Sequence, residues 1–176
     1  MVFHDKVPVP ELFGWRVDEE DYVFIYMELI EGPTLDECWN RLGTMEKSAV
    51  SDQLSQIIET LRRLEQGPSD QFVVSKSSTT GSLIPIMVYF RIIGDIKFTH
   101  AELERRNIIV SSFAPVQIVI VNWQQAGWYP DYWEYCKAFY TCWDGEWRKD
   151  YVDKILQPRT DVYTVLSDYC MAMGTD

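Results

Sequence analysis

The stretch whose reading decides the fold is Phe98-Thr-His-Ala-Glu-Leu-Glu-Arg-Arg-Asn107, with Ile108-Ile-Val110 and Val116-Gln-Ile-Val-Ile-Val121 behind it and Asn122-Trp-Gln-Gln-Ala-Gly127 beyond. The two β-branched runs flank a Ser/Pro-containing turn at 111–115 and predict a hairpin. Glu102 stands five positions before Asn107, and a second polar loop follows the hairpin. In phosphoryl transfer an acidic residue orients the attacking hydroxyl, while an asparagine and a later carboxylate hold magnesium on the phosphates. This plan singles out Glu102 and Asn107.

Working outward toward the start, Val7-Pro-Val-Pro-Glu-Leu-Phe-Gly14 reads as an extended arm, because each residue before a proline is pushed out of helix. Tyr22-Val-Phe-Ile-Tyr-Met-Glu28 is β-branched and aromatic and predicts a buried strand. Glu31-Gly-Pro33 stops it. Thr34-Leu-Asp-Glu37 is a capping-box sequence that opens a short helix to about Leu42. From Met45 to about Gln66, Val50, Leu54, Ile57, Ile58, Leu61 and Leu64 recur at spacings of three and four, one face of a helix. Residues 75–82 are rich in Ser and Thr and read as a loop, while 83–96 are apolar with helix and strand both open.

Beyond Asn122 the aromatics crowd: 11 of the chain's 25 lie between Trp123 and Tyr151. Tyr132, Tyr135, Phe139 and Trp143 fall on one helical stripe, and such stripes usually form core. Composition adds bounds. The 176 residues carry a net charge of −11 and are 47% hydrophobic, so a packed core is expected and a disordered chain is excluded. Strong acidity argues against nucleic-acid binding. No apolar run reaches the roughly 18–20 residues that span a bilayer. The first residues show no basic segment followed by an apolar one, so a cytoplasmic setting is expected. Cys38, Cys136, Cys142 and Cys170 lack zinc-ligand spacing and are expected to be buried free thiols.

These motifs resemble the aminoglycoside phosphotransferase and choline kinase-like family, particularly its fungal members. The family loop reads His-Gly-Asp-Leu-x-x-x-Asn, followed after a hairpin by Ile-Asp-Trp-Glu-x-Ala-Gly. This chain has His100-Ala-Glu-Leu-Glu-Arg-Arg-Asn107 and Val121-Asn-Trp-Gln-Gln-Ala-Gly127. Tyr26-Met-Glu-Leu-Ile-Glu-Gly32 looks like the family's hinge strand, and Trp128-Tyr-Pro-Asp-Tyr-Trp-Glu-Tyr135 like its following helix. The resemblance covers about residues 7–155. It implies an α+β fold: one truncated domain, mainly the helical carboxy-terminal lobe of the kinase-like fold with a few short strands. Residues 7–33 would be a residual hinge-strand region, and 34–176 a helical lobe carrying the catalytic-loop hairpin at 98–127.

The departures are as informative as the match. Where the family has its catalytic Asp stands Glu102, and where it has its magnesium Asp stands Asn122. The Gly before the acid is Ala101, and the Glu after Trp123 is Gln124. A carboxylate displaced by about 1 Å costs on the order of 100-fold in rate, and magnesium favours anionic oxygens. The family's Gly-rich loop, strand Lys and helix Glu would precede residue 7, and only about 30 residues fill its usual helical insertion. No metal and no Mg-ATP is therefore expected.

The expectation is a non-phosphorylating, cofactor-independent enzyme that binds a hydrophobic small molecule and promotes a cyclisation, cycloaddition or isomerisation in fungal secondary metabolism. Glu102, His100 and Asn122 would be its catalytic residues, with Asn107, Trp123, Trp128, Tyr129, Tyr132 and Trp133 binding substrate. The alternatives are a catalytically dead binding or scaffold protein and a weak phosphotransferase using Glu102. Glu102 would otherwise be a relic, capped by backbone amides or paired with Arg105 or Arg106, and His100 a brace for its loop. A homodimer covering the face left by the missing lobe is a further expectation, with no nucleic acid and no membrane as partner.

Overall fold

A computed structural model describes residues 7–67, 94–141 and 145–173, and mixes helix and strand as an α+β fold. The expected loop at 75–82, the undecided segment up to residue 93 and Trp143 lie outside the described residues. The chain groups into two compact units, Met1–Gln53 with Arg105–Val121, and Leu54–Glu104 with Asn122–Asp176.

In the first unit, β1 (Leu12–Val17) pairs antiparallel with β2 (Val23–Met27). The arm expected at 7–14 thus becomes strand from Leu12 onward. The connecting turn is held by Asp18, whose Oδ1 accepts from the Glu20 and Tyr22 amides, both at 2.9 Å. Strand β2 forms where the β-branched run predicts, but all five of its residues are exposed, which corrects the expectation of burial. Alternation and branching favour an extended, paired backbone whatever lies above it; burial depends on a second layer, which a local run does not specify.

Pro33 ends the ribbon's exit segment, and its carbonyl accepts from Val110 N–H at 2.9 Å. Helix α1 (Leu35–Cys38) then starts with the predicted capping box: Thr34 Oγ1 accepts from Glu37 N–H at 3.3 Å, and Glu37 Oε2 from Thr34 N–H at 2.8 Å. A 3-10 turn, Trp39–Arg41, extends it. The predicted hairpin is β4 (Ile108–Phe113) and β5 (Val116–Ile120), joined by a cis Ala114–Pro115 bond. Leu35, Cys38, Trp39, Val50, Ile108 and Ile120 are buried at the centre of this unit.

Helix α2 (Thr44–Arg62) begins in the first unit and ends in the second. Val50, Leu54, Ile57, Ile58 and Leu61 are buried as their spacing requires. It stops short of Gln66: Arg63 N–H is shared between the Glu59 and Thr60 carbonyls, and Leu64 N–H turns to Leu61. Such three-residue bonds tighten the last turn and end the helix.

The second unit holds a strand pair that periodicity does not reveal, β3 (Ile96–Thr99) with β6 (Gly127–Pro130). Phe98 sits opposite Trp128, their rings edge to face at 5.4 Å. The helix expected from Trp128 therefore starts later, as α3 (Trp133–Thr141). A π-helical segment Trp147–Val152 leads into the single turn α4 (Asp153–Ile155), and α5 (Thr160–Met173) follows. The aromatic stripe makes the core here. Tyr135 stacks on Phe139 at 5.2 Å, Phe139 meets Tyr163 edge to face at 4.6 Å, and the Arg148 guanidinium caps Phe139 at 3.7 Å. Among the described residues no helix is long and apolar enough to cross a membrane.

Candidate functional site

Strand β3 ends at Thr99, opposite Gly127, so the 100–104 loop leaves the pair where the 122–126 loop enters it. Two loops launched from adjacent ends of one antiparallel pair meet, and their polar side chains pair. Glu102 Oε2 accepts from Asn122 Nδ2 at 2.9 Å, and Oε1 from Gln125 Nε2 at 2.7 Å. Both carboxylate oxygens are thus held by neutral amides of the facing loop. Arg105 pairs with Asp36 at 2.9 Å and lies over the Trp39 ring within the first unit.

The loop backbone is bent to make this clasp. Ala101 and Asn122 both have positive φ, 66° and 62°. Asparagine tolerates the left-handed region better than most residues, whereas alanine pays a penalty of about 1 kcal/mol that glycine would not. Strain of this kind persists only where surrounding contacts over-determine it.

Those contacts come from Glu134, which sequence reasoning did not single out. Its carboxylate is buried and accepts His100 N–H at 2.7 Å and Ala101 N–H at 3.1 Å. Burial pushes its carboxyl up to about 7, although the two amide donors, and then Arg62 and Lys137, pull the other way. Desolvation of a group with so little access to water outweighs two hydrogen bonds. The one available signal was an acid in the first turn of an otherwise aromatic helix.

His100 is fully buried. Its Nδ1 accepts from Glu102 N–H at 3.3 Å, and its ring stands edge-on to Trp123 at 4.7 Å. A ring nitrogen that accepts a backbone amide carries no proton there, so His100 braces the turn that presents Glu102. Glu102 and Trp123 keep partial access to solvent, and Asn122 is exposed.

The remaining predicted residues do not gather at this clasp in a uniform way. Asn107 belongs to the first unit, where it is buried in a 3-10 turn and its carbonyl accepts Val121 N–H at 2.9 Å. Trp128, Tyr129, Tyr132 and Trp133 are buried within the second unit, between 2% and 7% exposed. Tyr129 stacks on Trp133 at 5.7 Å and donates its hydroxyl to the Gln125 carbonyl at 3.0 Å, which buttresses the 122–126 loop from below. Burial holds the Tyr129 and Tyr132 phenols above their ordinary range.

The donor set does not fit magnesium. Glu102 has both oxygens engaged by amides, and Asn122 supplies a neutral side chain whose nitrogen faces that carboxylate. A hard dication favours anionic oxygens in octahedral array. Among the described residues, no three His, Cys, Asp or Glu side chains converge into a metal-holding group. A cavity of about 400 Å³ lies elsewhere in the second unit, between α2 and the 153–158 segment, lined by Ser55, Ile58, Arg62 and Lys154 among others. None of the predicted site residues lines it. No protein-family model matches the chain, and no curated protein matches it at a significant level.

Proposed function

We propose that the chain is a non-phosphorylating binding protein on a degenerate kinase-like fold of the aminoglycoside phosphotransferase type. One observation carries the reading: Glu102, at the family's catalytic position, and Asn122, at its later metal position, are hydrogen-bonded to one another. Glu102 accepts from Asn122 and Gln125, so each oxygen of the acid that would orient a hydroxyl already accepts from a neighbouring amide. Hydrogen bonds to a charged group contribute about 1.5–3 kcal/mol each when shielded and less at an exposed site, so opening the clasp opposes any nucleotide that needs it open. The acidic chain, at −11, adds long-range repulsion to a polyphosphate.

Thermal melting with Mg-ATP at about millimolar concentration is the test. The midpoint is expected to stay where it is. Occupancy at about 100 times Kd would add about 2.7 kcal/mol, and an upward shift of several degrees overturns the proposal.

A second reading, a cofactor-independent enzyme acting on a hydrophobic small molecule, is favoured by the partly exposed edge that Glu102 shares with Trp123 and Asn122. Glu102 would then take a proton from one carbon of a substrate lying against the indole and return it to another. A Glu102→Ala variant that melts like the parent yet loses turnover of a terpenoid or polyketide intermediate would favour this reading over the first.

A further inference from the structure

We propose that the β1–β2 ribbon is the docking surface for a strand of another protein whose apolar face is bordered by lysines or arginines. In the ribbon's register Trp15 lies opposite Ile25, Val17 opposite Val23 and Leu12 opposite Met27. Directly opposed residues, and residues two apart, share a face of a sheet, so these six make one continuous apolar surface. On the other face the Arg16 guanidinium lies over Phe24 at 4.7 Å.

Among the described residues of the first unit, none shields this surface. Exposure of its six apolar side chains runs from 48% at Val17 to 69% at Trp15. With one aromatic and five aliphatic side chains about half to two-thirds exposed, the apolar area of this face is on the order of 600 Å². The largest apolar patch on an ordinary monomer is about 300–600 Å², and one partner of a standard interface contributes about 800 Å². Among the described residues β1 and β2 form a two-stranded sheet by themselves, so both outer edges offer N–H and C=O groups to a further strand.

Charge selects the occupant. Asp18, Glu19, Glu20 and Asp21 form the tip of the ribbon, and Glu11 and Glu28 its base, against the single Arg16. A second copy would set acidic tip against acidic base in an antiparallel pairing, or tip against tip in a parallel one. Either juxtaposition puts like charges together and is penalised. An anionic membrane surface meets the same repulsion. A strand with basic flanks, added at an edge, reverses the sign at both ends while its apolar side chains pack beside those of Trp15 and Val17 or of Val23 and Ile25.

The proposal names the partner chemistry of the binding reading above and rests on it. The test uses the full chain and a labelled short peptide that alternates lysine with isoleucine and valine, beside a matched peptide with glutamate for lysine. The lysine peptide is expected to bind at least about tenfold more tightly, with affinity falling about tenfold as salt rises from about 50 to about 500 mM. Amides of 12–27 gain protection from hydrogen exchange in the complex. Trp15→Ser combined with Ile25→Ser lowers affinity about tenfold at an unchanged melting midpoint; Trp15→Gln alone serves if the pair fails to fold. Equal affinity for the two peptides, or an unchanged affinity in the variants, overturns the proposal. So does a dimer in sedimentation with 12–27 protected before peptide is added, or equal protection on phosphatidylcholine vesicles. Stabilisation by Mg-ATP would overturn the non-catalytic reading while leaving these readouts in place, so the two failures are told apart.

Discussion

Glu134 shows how one buried acid shapes an exposed loop. It ties down the amides of His100 and Ala101, and through them the strained turn that presents Glu102. Its carboxyl holds its proton to about pH 7 in the fold, against an ordinary value of 4.5. A folded-state value above the unfolded one means the native chain binds more protons between the two. The contribution to stability is therefore complete at acid pH and lost as pH rises through about 7, by about 3 kcal/mol for a shift of this size. The melting midpoint should fall between about pH 5 and pH 8. Glu134→Gln keeps the volume and one acceptor but cannot titrate, so its midpoint should be much flatter over that range. A parallel slope in parent and variant would remove Glu134 as the cause. At the clasp, Asn122→Asp replaces an amide donor by a carboxylate beside Glu102. The lost bond and the new repulsion should cost about 1 kcal/mol at neutral pH, measured by urea unfolding, and less in acid. An aspartate at 122 would then destabilise this chain, because Asn122 is matched to Glu102.

At the scale of elements, local signals were legible wherever the physics is local. The capping box at Thr34 and Glu37, the face of α2 and the hairpin β4–β5 all follow from spacing within one segment. The pair β3–β6 was not legible, since Phe98 and Trp128 meet across an interval that no window of sequence joins. The end of α2 was misplaced by four residues because Leu64 continues the apolar period after the backbone has already tightened. The link between the ribbon and α1 offers a sharp test. Gly32 has φ of 135°, and a Cβ there would overlap the Val110 carbonyl oxygen. Gly32→Ala adds backbone strain and a clash with main chain that has no rotamer to yield, so a loss of about 3 kcal/mol is expected in chemical denaturation. A loss under about 1 kcal/mol would mean the exit turn adjusts freely.

At the scale of the whole molecule, among the described residues two buried thiols mark the two units: Cys38 lies in the first and Cys136 in the second. Burial pushes the Cys136 thiol up to about 12 and raises Cys38 as well. Neither thiolate is then available to a disulfide reagent in the folded chain, and each becomes so only when its own unit opens. Because α2 belongs to both units, the two thiols should become reactive in one urea transition, followed by mass spectrometry of the modified peptides. Separate midpoints would show that the units unfold independently.

The amino-acid sequence by itself determined the elements whose causes lie within a turn or two: which segments are helix, which are extended, where a helix is capped, and which residue types stand at the two polar loops. It also carried the resemblance that directs attention to Glu102 and Asn122. Only the tertiary structure decided what those residues bond to, because hydrogen bonds between loops 20 residues apart, such as Asn122 to Glu102, depend on strands that pair at a distance. It likewise decided which apolar runs are inside. The aromatics of 128–135 and the run of 22–27 read alike as hydrophobic sequence, yet the first are buried and the second faces solvent, because burial is a property of what packs above a segment and not of the segment itself.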